Sequence, residues 1–557
     1  MSVAEGPRPA LEDDARAWLA LDPDPETRAE VQDLLDRADE AGLQDRFGER
    51  LVFGTAGLRG ALGAGPNRMN RVVVQQTSAG LAAFLRGRTD RPTAVVGYDG
   101  RRNSRVFAED AVGVLRAAGV ETVLLPRALP TPVLAFAVRD LDADAGVMIT
   151  ASHNPAPDNG YKLYLGGPDQ GSQLVAPADA AVLAEIERVV ATGALPARST
   201  EAPLADEGVV ERYVAATAAV TDASGDLDWV YTPMHGVGLE TVRAVLAAAG
   251  LPAPAVVAEQ AEPDAAFPTA PFPNPEEPGT LDLATALAER TGATLILAND
   301  PDADRLAVAI PDGPASSASG RRGWRRLTGN DVGLLLAWRI ASGTTASGGT
   351  LACSVVSTPG LARIAERFGL LHTETLTGFK WISRAPALLF GFEEALGYLV
   401  DPEVVRDKDG ISALVAVLAA AIEQAAEGRG LADLLAEIEA AVGRFDSAQV
   451  SLRVEDLSRI AAITASLRAD PPAEIGGFAV ESVDDLAGGS DDLPPTDALR
   501  YRLTGGARVI VRPSGTEPKL KVYLDVVSDV ATPEERRRET DAALAALRTG
   551  VDALLAR

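Results

Sequence analysis

A serine follows a short apolar run at the point where a strand would end. Residues 150–155 read Thr-Ala-Ser-His-Asn-Pro and come after the apolar run Ala145 to Ile149. The proline prevents the backbone from continuing a strand ladder, so Ser152 is predicted to lie in a loop. A serine hydroxyl acts as a nucleophile only with a base, a metal or a group that it already carries. Ser152 is therefore a candidate catalytic residue, and an ordinary serine turn beside His153 is the alternative.

Three carboxylates follow a second apolar run, Thr294 to Ala298. They are Asp300, Asp302 and Asp304, each two positions from the next. In an extended segment this spacing directs all three toward one side, where they repel one another unless a cation lies among them. Ligands that are all oxygen favour Mg²⁺ or another hard cation. An EF-hand is excluded because the segment lacks glycine at its sixth position and glutamate at its twelfth. A solvated acidic turn is the alternative.

Two stretches combine arginine with glycine in a way that suits phosphate. Residues 53–60 read Phe-Gly-Thr-Ala-Gly-Leu-Arg-Gly and place Arg59 among glycines, although such loops are often simple turns. Glycine lets backbone N–H groups approach an anion closely, and arginine adds a bidentate fork. Residues 512–519 also supply hydroxyls and an ammonium group, which predicts a phosphate site. Its candidate residues are Arg512, Ser514, Gly515, Thr516 and Lys519.

Three later loops carry carboxylates, lysines and aromatic residues. Residues 377–381 read Thr-Gly-Phe-Lys-Trp, residues 391–398 read Gly-Phe-Glu-Glu-Ala-Leu-Gly-Tyr, and residues 406–410 read Arg-Asp-Lys-Asp-Gly. Side chains of these types can recognise sugar hydroxyls. Ordinary surface loops have nearly the same composition, so that alternative stays open.

The composition limits the kind of partner. The 557 residues include 79 acidic and 52 basic ones, for a net charge of -27, which argues against nucleic acid and against an anionic membrane surface. A local basic pocket can still hold a small anion. The only cysteine, Cys353, lies in an apolar run and is predicted to be a core residue in a reducing compartment. Neither a signal pattern nor a membrane segment is predicted, because the longest apolar stretch, Ile411 to Ile422, is too short. A cytoplasmic protein is expected.

The chain alternates between strand and helix patterns. A strand at Ala94 to Val96, the polar stretch 97–104, a helix from Val106 and a strand at Glu121 to Leu125 form one βαβ unit. Thr-Pro pairs at 131, 232 and 358 each follow an apolar run and precede a helical pattern, which suggests related α/β domains in tandem.

Other segments give coarser predictions. An acidic amphipathic helix is predicted from Pro25 to Arg46 and a final helix from Pro533 to Leu555. The segment from Glu259 to Gly279, rich in proline and acidic residues, is a structured surface loop or a linker. The small-residue segment from Gly313 to Gly323 marks a domain edge or a hairpin. From Ala440 onward, short strands alternate with helices.

Taken together in their order, these motifs make the chain similar to the α-D-phosphohexomutase superfamily, within the branch of phosphoglucomutase-like and phosphopentomutase-like enzymes. The resemblance covers nearly the whole chain. It implies an α/β protein with four domains around a central cleft: three related α/β domains and a C-terminal α+β domain that resembles the TATA-binding protein. The expected boundaries are 1–205, 206–312, 313–438 and 439–557.

The resemblance also implies roles for the motif residues. Ser152 would be the phosphoserine and, with Asp300, Asp302 and Asp304, would hold Mg²⁺. Arg59, Lys162 and His153 would lie near the reacting group. The implied substrate-binding residues are Arg305, Thr377, Gly378, Lys380, Glu393, Lys408, Arg512, Ser514, Gly515, Thr516 and Lys519.

The implied reaction is the interconversion of a hexose 1-phosphate and a hexose 6-phosphate, with glucose as the first choice. It would pass through a phosphoserine enzyme and a 1,6-bisphosphate, which would also act as activator. Ala395 and Tyr398 replace the Ser and His of many relatives, and Glu-Glu-Ala is familiar in the branch that includes phosphopentomutases. Mannose and pentose phosphates are therefore alternatives. A Mg²⁺-dependent phosphatase and a non-catalytic sugar-phosphate sensor are the alternatives from other classes.

Overall fold

The computed structural model describes most of the chain as two compact units. The described residues are 11–51, 57–313, 323–344, 348–454, 457–490, 493–513 and 519–555. Unit 1 runs to Asp222 and continues with Asp228–Leu306 and Glu403–Ser412. Unit 2 holds Ala223–Leu227, Ala307–Pro402 and the chain from Ala413 onward.

The first sheet of unit 1 is mixed, and two of its strands flank the Ser152 loop, residues 150–157. Its strands, in spatial order, are Leu58–Ala61, Asp158–Leu165, Ala145–Ile149, Thr93–Tyr98 and Glu121–Leu124, and Ser172–Gln173 pairs with the second. Thr93–Tyr98 and Ala145–Ile149 are parallel, with Tyr98 opposite Ile149. Every residue of Ala145–Ile149 is buried. Because parallel strands end at the same edge, the polar stretch 97–104 and the Ser152 loop emerge side by side.

Helices cover this sheet and bury a continuous apolar core. The helix Arg71–Arg86 begins after Asn70, whose side chain accepts a hydrogen bond from the Val73 N–H over 3.0 Å, as an N-cap does. The helices of unit 1 are Leu11–Leu21, Pro25–Asp36, Glu40–Phe47, Arg71–Arg86, Ser104–Ala117, Thr131–Asp140, Ala178–Ala191, Gly208–Ala218, Gly238–Ala249 and Asp282–Thr291.

A second set of parallel strands in unit 1 leads to the aspartates. Trp229–Thr232 pairs with Ala255–Val256 on one side and Leu295–Asn299 on the other. Leu295–Asn299 is buried at every position, as its apolar sequence predicts, and delivers the chain directly to Asp300.

Unit 2 contains a mixed sheet and an antiparallel sheet. The mixed sheet has the order Leu371–Thr375, Thr350–Ser354, Leu388–Glu393 and Gly397–Leu399, of which the first three strands are parallel. The antiparallel sheet has the order Arg444–Arg453, Lys519–Ser528, Arg508–Pro513, Leu499–Leu503, Phe478–Asp485 and Glu474–Ile475. Leu306–Asp312 and Gly323–Arg326 are two further strands, and they pair antiparallel.

The helices of unit 2 alternate with these strands along the chain. They are Gly329–Gly343, Gly360–Phe368, Phe379–Ile382, Leu431–Val442, Leu457–Ala469 and Pro533–Leu555, and one more helix is Gly410–Ala426. Over the described residues, no single helix is long and apolar enough to cross a membrane. The pair Gly410–Ala426 and Leu431–Val442 meets the length and composition criteria only when joined, and it is bent by 95°. A cytoplasmic location stays a prediction.

Several local predictions can be compared with the structure. The final helix, Pro533–Leu555, is confirmed, and Cys353 is buried. The single helix predicted from Pro25 to Arg46 is wrong, because Ala38 adopts a left-handed conformation with φ 51° and separates two helices. The segment from Glu259 to Gly279 is a structured loop with Phe267 buried. Residues 314–322 of the predicted edge or hairpin lie outside the described residues, but the strands on either side pair as in a hairpin.

Candidate functional site

Ser152 lies in a turn that follows the buried strand Ala145–Ile149, as predicted. Its backbone is left-handed, with φ 52°, and its N–H donates to Thr150 Oγ1 over 2.9 Å. A non-glycine residue in this region is uncommon and needs support from its surroundings. The Ser152 hydroxyl lies 3.1 Å from His153 Nδ1 and donates to Asp300 Oδ2 over 2.8 Å.

The segment from Asp300 to Asp304 is a turn, so the prediction of an extended segment is wrong. Ala303 has φ 53°, and its N–H donates to the carbonyl of Asp300 over 2.8 Å, which closes the turn. The Arg305 N–H also donates to Asp300 Oδ1 over 3.0 Å. The three carboxylates nevertheless converge, because the tight turn folds them around one point instead of aligning them along a strand.

The three aspartates fit a hard cation. One carboxylate oxygen from each of Asp300, Asp302 and Asp304 lies within 4.8 Å of the other two, and all three side chains are fully buried. Oδ1 of Asp302 and Oδ1 of Asp304 are buried without a hydrogen-bond partner among the described residues. Buried acceptors of this kind are costly unless something occupies them. An all-oxygen set of carboxylates is what Mg²⁺ prefers.

Two lysines lie against the same carboxylates. Lys162, on the strand Asp158–Leu165, donates to Asp302 Oδ2 over 2.7 Å and to Asp304 Oδ2 over 2.8 Å. Lys408 Nζ lies 3.4 Å from Asp304 Oδ2. Thr131 Oγ1 donates to Asp302 Oδ2 over 2.6 Å. Donors therefore occupy Oδ2 of Asp302 and Oδ2 of Asp304, and among the described residues Oδ1 of each is left without a hydrogen-bond donor.

The charges set the protonation of the cluster. Burial raises the pKa of Asp300 well above its ordinary value, and the neighbouring carboxylates Asp302 and Asp304 raise it further. Burial also opposes ionisation of Asp302 and Asp304, but Lys162 together with the other nearby donors and cations outweighs it, so the pKa of each lies below its ordinary value. Burial alone would lower the pKa of Lys162, yet the two carboxylates raise it, so the ammonium keeps its charge.

Arg59 and His153 flank Ser152. Arg59 donates from Nη1 to Asn154 Oδ1 over 3.1 Å. Burial, and to a lesser extent the charge of Arg305, lowers the pKa of the Arg59 guanidinium. Burial, and then the positive charges of Arg305 and Arg59, lower the pKa of His153 well below its ordinary value. The imidazole is therefore neutral at neutral pH. The structure brings together Ser152, His153, Arg59, Lys162, Arg305, Lys408 and the three aspartates. Their roles in catalysis and binding stay predictions.

The segment 406–410 is anchored in unit 1 although it comes late in the chain. Asp407 Oδ2 accepts from the Tyr164 hydroxyl over 2.8 Å and from Gln173 Nε2 over 2.7 Å. A Cβ at Gly410 would lie 2.3 Å from the Arg305 carbonyl oxygen and 2.8 Å from that of Ala303. Only glycine permits this approach, which brings Lys408 to the aspartate turn.

The predicted sugar loops lie in unit 2. Glu393 ends the strand Leu388–Glu393, and a turn joins it to Gly397–Leu399. The adjacent Glu394 accepts hydrogen bonds on Oε2 from Ser354 Oγ over 2.9 Å and Ser357 Oγ over 3.1 Å. The hydrogen bonds of the Glu394 carboxylate hold this turn, and the turn positions Glu393.

The other predicted binding residues of unit 2 lie at strand and helix ends. Thr377 and Gly378, with φ 107° at the glycine, precede the short helix Phe379–Ile382, in which Lys380 Nζ lies 5.9 Å from the Trp381 ring centroid. Arg512 and Lys519 belong to the paired strands Arg508–Pro513 and Lys519–Ser528. Ser514, Gly515 and Thr516 lie outside the described residues.

Arg512 and the two glutamates act on one tyrosine. Burial raises the pKa of the Tyr523 hydroxyl, and the negative charges of Glu394 and Glu393 add to that rise. Arg512 lowers the same pKa through its charge and through a hydrogen bond with the tyrosine side chain. Within unit 2, the predicted phosphate-binding arginine and the predicted sugar-binding loop are therefore neighbours.

Sequence reasoning missed several residues of the site. Thr131 orients Asp302, Thr150 accepts from the Ser152 N–H, and Asn154 binds Arg59. The Thr-Pro pair at 131 is a sequence signal for Thr131, but its repetition at 232 and 358 indicates only related domains. For Thr150 and Asn154, the available signal is that each lies two positions from Ser152 in the sequence.

Family models match four consecutive parts of the chain. They are described as phosphoglucomutase/phosphomannomutase alpha/beta/alpha domains I, II and III and the C-terminal domain of the same family, at residues 50–192, 211–313, 328–441 and 450–542. The predicted fold class, with three α/β domains and a C-terminal α+β domain, is confirmed. The predicted domain boundaries stay predictions.

Individual relatives agree with these matches. The chain is 50% identical over 461 residues to a probable phosphomannomutase of Haemophilus influenzae, which covers 82% of this chain and 93% of the relative. It is 34% identical over 563 residues to a probable phosphoribomutase of Schizosaccharomyces pombe, covering 93% and 94%. It is 33% identical over 595 residues to a phosphopentomutase of Mus musculus, covering 96% and 94%.

A solved structure gives the same result. A putative phosphomannomutase from Thermus thermophilus superposes with a TM-score of 0.69 at 25% identity, covering 91% of this chain and 100% of the other. The predicted superfamily and the predicted enzyme class are both confirmed. The chain belongs to the phosphoglucomutase/phosphomannomutase family within the α-D-phosphohexomutase superfamily, and is an intramolecular phosphotransferase of that type.

Proposed function

We propose that this protein is a phosphosugar mutase that carries the transferred phosphoryl group on Ser152. The observation that carries the proposal is the position of the Ser152 hydroxyl, 2.8 Å from Asp300 in a buried cluster of carboxylates and cations. A serine needs activation or a group already attached, and no Ser-His-Asp arrangement surrounds Ser152 among the described residues. His153 is next to the hydroxyl, but among the described residues its ring has no hydrogen bond to a carboxylate that would orient it as a base.

Asp300, Asp302 and Asp304 would hold Mg²⁺ together with a phosphoryl oxygen on Ser152. Bound there, the ion would offset the negative charge that develops on the phosphoryl group during transfer. The support is the pair of buried oxygens, Asp302 Oδ1 and Asp304 Oδ1, that accept no hydrogen bond. Lys162 and Thr131 hold the other oxygen of Asp302, Oδ2, in place.

Arg59, Lys162 and Arg305 would supply the positive charge that attracts the phosphosugar. The whole chain is strongly acidic, so these cations create a local field opposite to the net charge of -27. Lys162 keeps its positive charge, because Asp302 and Asp304 both accept from its ammonium group. His153, neutral in its surroundings, can accept or donate one hydrogen bond at the Ser152 hydroxyl.

The unit 2 residues would bind the sugar and the phosphate that does not react. A mutase must hold the far end of its substrate while the near end exchanges a phosphoryl group. Glu393, Thr377, Gly378 and Lys380 would contact sugar hydroxyls. Arg512, Ser514, Gly515, Thr516 and Lys519 would bind the far phosphate, with Lys408 on the near side. A phosphatase has no need for this second set.

The sugar is better supported as mannose or a pentose than as glucose, which was the first expectation. The 50% identical relative is named as a probable phosphomannomutase, and this favours mannose 1-phosphate as the first candidate. Relatives named phosphoribomutase and phosphopentomutase cover more of the chain, and the Glu-Glu-Ala sequence at 393–395 agrees with them. A pentose 1-phosphate is therefore the second candidate.

A substrate panel tests this proposal. Mannose, ribose, glucose and N-acetylglucosamine 1-phosphates are each incubated with the protein, Mg²⁺ and the matching bisphosphate, which we propose as intermediate and activator. The isomerised product and free phosphate are measured separately. The proposal requires isomerisation without stoichiometric free phosphate, with the highest kcat/KM for mannose or ribose. Release of phosphate alone would indicate a phosphatase, and binding without turnover would indicate a sensor.

A further inference from the structure

The polar stretch 97–104, which begins at the end of the strand Thr93–Tyr98, takes no part in the proposed chemistry. It nevertheless lies beside the Ser152 loop, because the two parallel strands end together. We propose that Arg101 in this stretch is a positioning residue that holds the Ser152 loop in its reactive conformation. The inference rests on the proposed function in one respect, namely that Ser152 is the residue that carries the phosphoryl group.

The guanidinium of Arg101 binds four backbone carbonyls of one loop. Nη2 donates to the carbonyl oxygens of Ser152 over 2.6 Å and Asn154 over 2.5 Å. Nη1 donates to those of Pro155 over 3.0 Å and Asp158 over 3.1 Å. These contacts extend from the carbonyl of Ser152 to that of Asp158, at the start of the next strand. The Pro155 carbonyl also accepts from the Asp158 N–H over 3.0 Å, so Arg101 adds to the turn's own hydrogen bond there.

Asp99 forms a buried ion pair with the Arg101 guanidinium. Asp99 Oδ1 accepts from the Arg101 N–H over 3.0 Å and from Ser104 Oγ over 2.6 Å, while Oδ2 lies 3.5 Å from Arg101 Nε. Both charged side chains are buried, with exposures of 2% for Asp99 and 4% for Arg101. Water therefore does not compete with the ion pair, and the surrounding fold determines the orientation of the two side chains.

Phe267 covers the face of the same guanidinium. Its ring centroid lies 4.9 Å from Arg101 Cζ, and the ring is 2% exposed. A cation over an aromatic ring is stabilised, more so when water is excluded. This contact gives a role to the structured segment from Glu259 to Gly279, because that segment places Phe267 over the Arg101 guanidinium.

Only arginine can make this set of contacts. Its planar group offers five N–H donors in a fixed geometry, whereas lysine offers three donors from a single nitrogen. Both Nη groups of Arg101 are engaged by backbone carbonyls, so the side chain has no donor directed at a substrate among these contacts. Arg101 therefore acts through Ser152: it fixes the left-handed backbone that presents the hydroxyl to Asp300.

The experiment compares Arg101→Lys with Arg102→Lys. Arg102 is the neighbouring residue, is exposed, and pairs through its side chain with Glu26, so it is a matched control. For each protein, kcat and KM are measured on the substrate that the wild type uses best. The exchange rates of the backbone amides in 152–158 are measured by hydrogen exchange and mass spectrometry, and the thermal unfolding transition is recorded.

Arg101→Lys should lower kcat by about 100-fold, since a displacement of about 1 Å at a reacting group costs about that much. KM should stay within about twofold, and amides 152–158 should exchange faster. Phe267→Leu should show the same pattern in weaker form and serves if Arg101→Lys does not fold. Arg102→Lys should match the wild type in all three measurements.

Wild-type kcat and exchange in Arg101→Lys, or a change in KM alone, would overturn the positioning role. A wild type without mutase activity would refute the proposed function instead, and the exchange of amides 152–158 would still decide whether Arg101 holds the loop.

Discussion

The hydroxyl of Ser152 donates to Asp300 Oδ2 over 2.8 Å, although 148 positions separate the two residues. Each residue follows a buried strand of unit 1, Ala145–Ile149 in one case and Leu295–Asn299 in the other. Both then adopt tight turns that contain a left-handed residue, Ser152 itself and Ala303. The site is therefore built from two strand ends that meet, which is a common way for α/β proteins to assemble functional groups.

Asp302→Asn tests the proposed metal site. The substitution removes a charged ligand and leaves the shape of the turn, so the Mg²⁺ concentration needed for half-maximal activity should rise by about 10-fold or more. Asp90→Asn, at an exposed acid outside the cluster, is the control and should change nothing. Titration of activity with Mg²⁺, together with calorimetry of Mg²⁺ binding, measures the effect. Wild-type metal dependence in Asp302→Asn would reduce the triplet to an acidic turn.

Gly410→Ala tests the close approach that brings Lys408 to the aspartates. A Cβ would meet the Arg305 carbonyl at 2.3 Å, so the segment must move and the protein should lose about 1–3 kcal/mol of stability. Activity should fall as well, because Lys408 leaves Asp304. Gly343→Ala is the matched control, since its Cβ would meet nothing within 4 Å and helix propensity favours alanine. Thermal unfolding measures the stability of both variants. An equal loss of stability in Gly410→Ala and Gly343→Ala would contradict the steric explanation.

Asp409→Asn tests a buried acid outside the aspartate cluster. Burial raises the pKa of Asp409 to about 6, although it accepts from the Tyr213 hydroxyl and from the Ile411 and Ser412 N–H groups. An unfolded aspartate has a pKa of about 3.9. As the pH rises from about 4 to about 6, the unfolded chain loses this proton while the folded chain keeps it, so unfolding becomes easier by about 3 kcal/mol.

The corresponding measurement is stability against pH. The wild type should lose this part of its stability between about pH 4 and 6 and then level off, whereas Asp409→Asn should lack that decrease. The difference between the two proteins in the thermal unfolding midpoint isolates the contribution of Asp409 from other titrating groups. A difference that is constant over this pH range would show that Asp409 is ionised throughout.

Arg512→Ala tests the proposed phosphate clamp. A charge-assisted bidentate contact contributes about 1.5–3 kcal/mol, so its loss should raise KM for the sugar phosphate by about 10-fold or more. The variant should also depend on added bisphosphate, because an intermediate held less firmly leaves before it has turned over. Arg502→Ala, on the neighbouring strand Leu499–Leu503 and more exposed, is the control. Unchanged KM without bisphosphate dependence would remove Arg512 from the mechanism.

The residues that could be predicted are those whose chemistry is carried by their own side chains. Ser152 and the three aspartates follow apolar runs in the sequence, and the spacing of the aspartates alone indicated a shared cation. The prediction of an extended segment failed because nothing in the sequence marked Ala303 as left-handed. The same holds for Ala38, since the apolar pattern of the predicted helix continues across the break.

Long-range partners could not be predicted. Arg101 acts on backbone carbonyls, which every residue carries, so the sequence of 150–158 gives no sign of it. Lys408 reaches Asp304 from a segment about 100 positions later in the chain, through contacts of Asp407 and Asp409 that depend on the folded unit. Such contacts are determined by topology, and the residue types at 406–410 suited sugar recognition and an ordinary surface loop nearly equally.

The most direct measurement follows a labelled phosphoryl group from Ser152. The protein is labelled at Ser152 with radioactive phosphate, freed of excess label and mixed in a single turnover with unlabelled mannose or ribose 1-phosphate, with Ser152→Ala as the control. The account predicts that the label passes to the sugar bisphosphate and monophosphate, that little inorganic phosphate forms, and that Ser152→Ala carries no label. Label that stays on the protein while product forms, or that leaves only as inorganic phosphate, would contradict it.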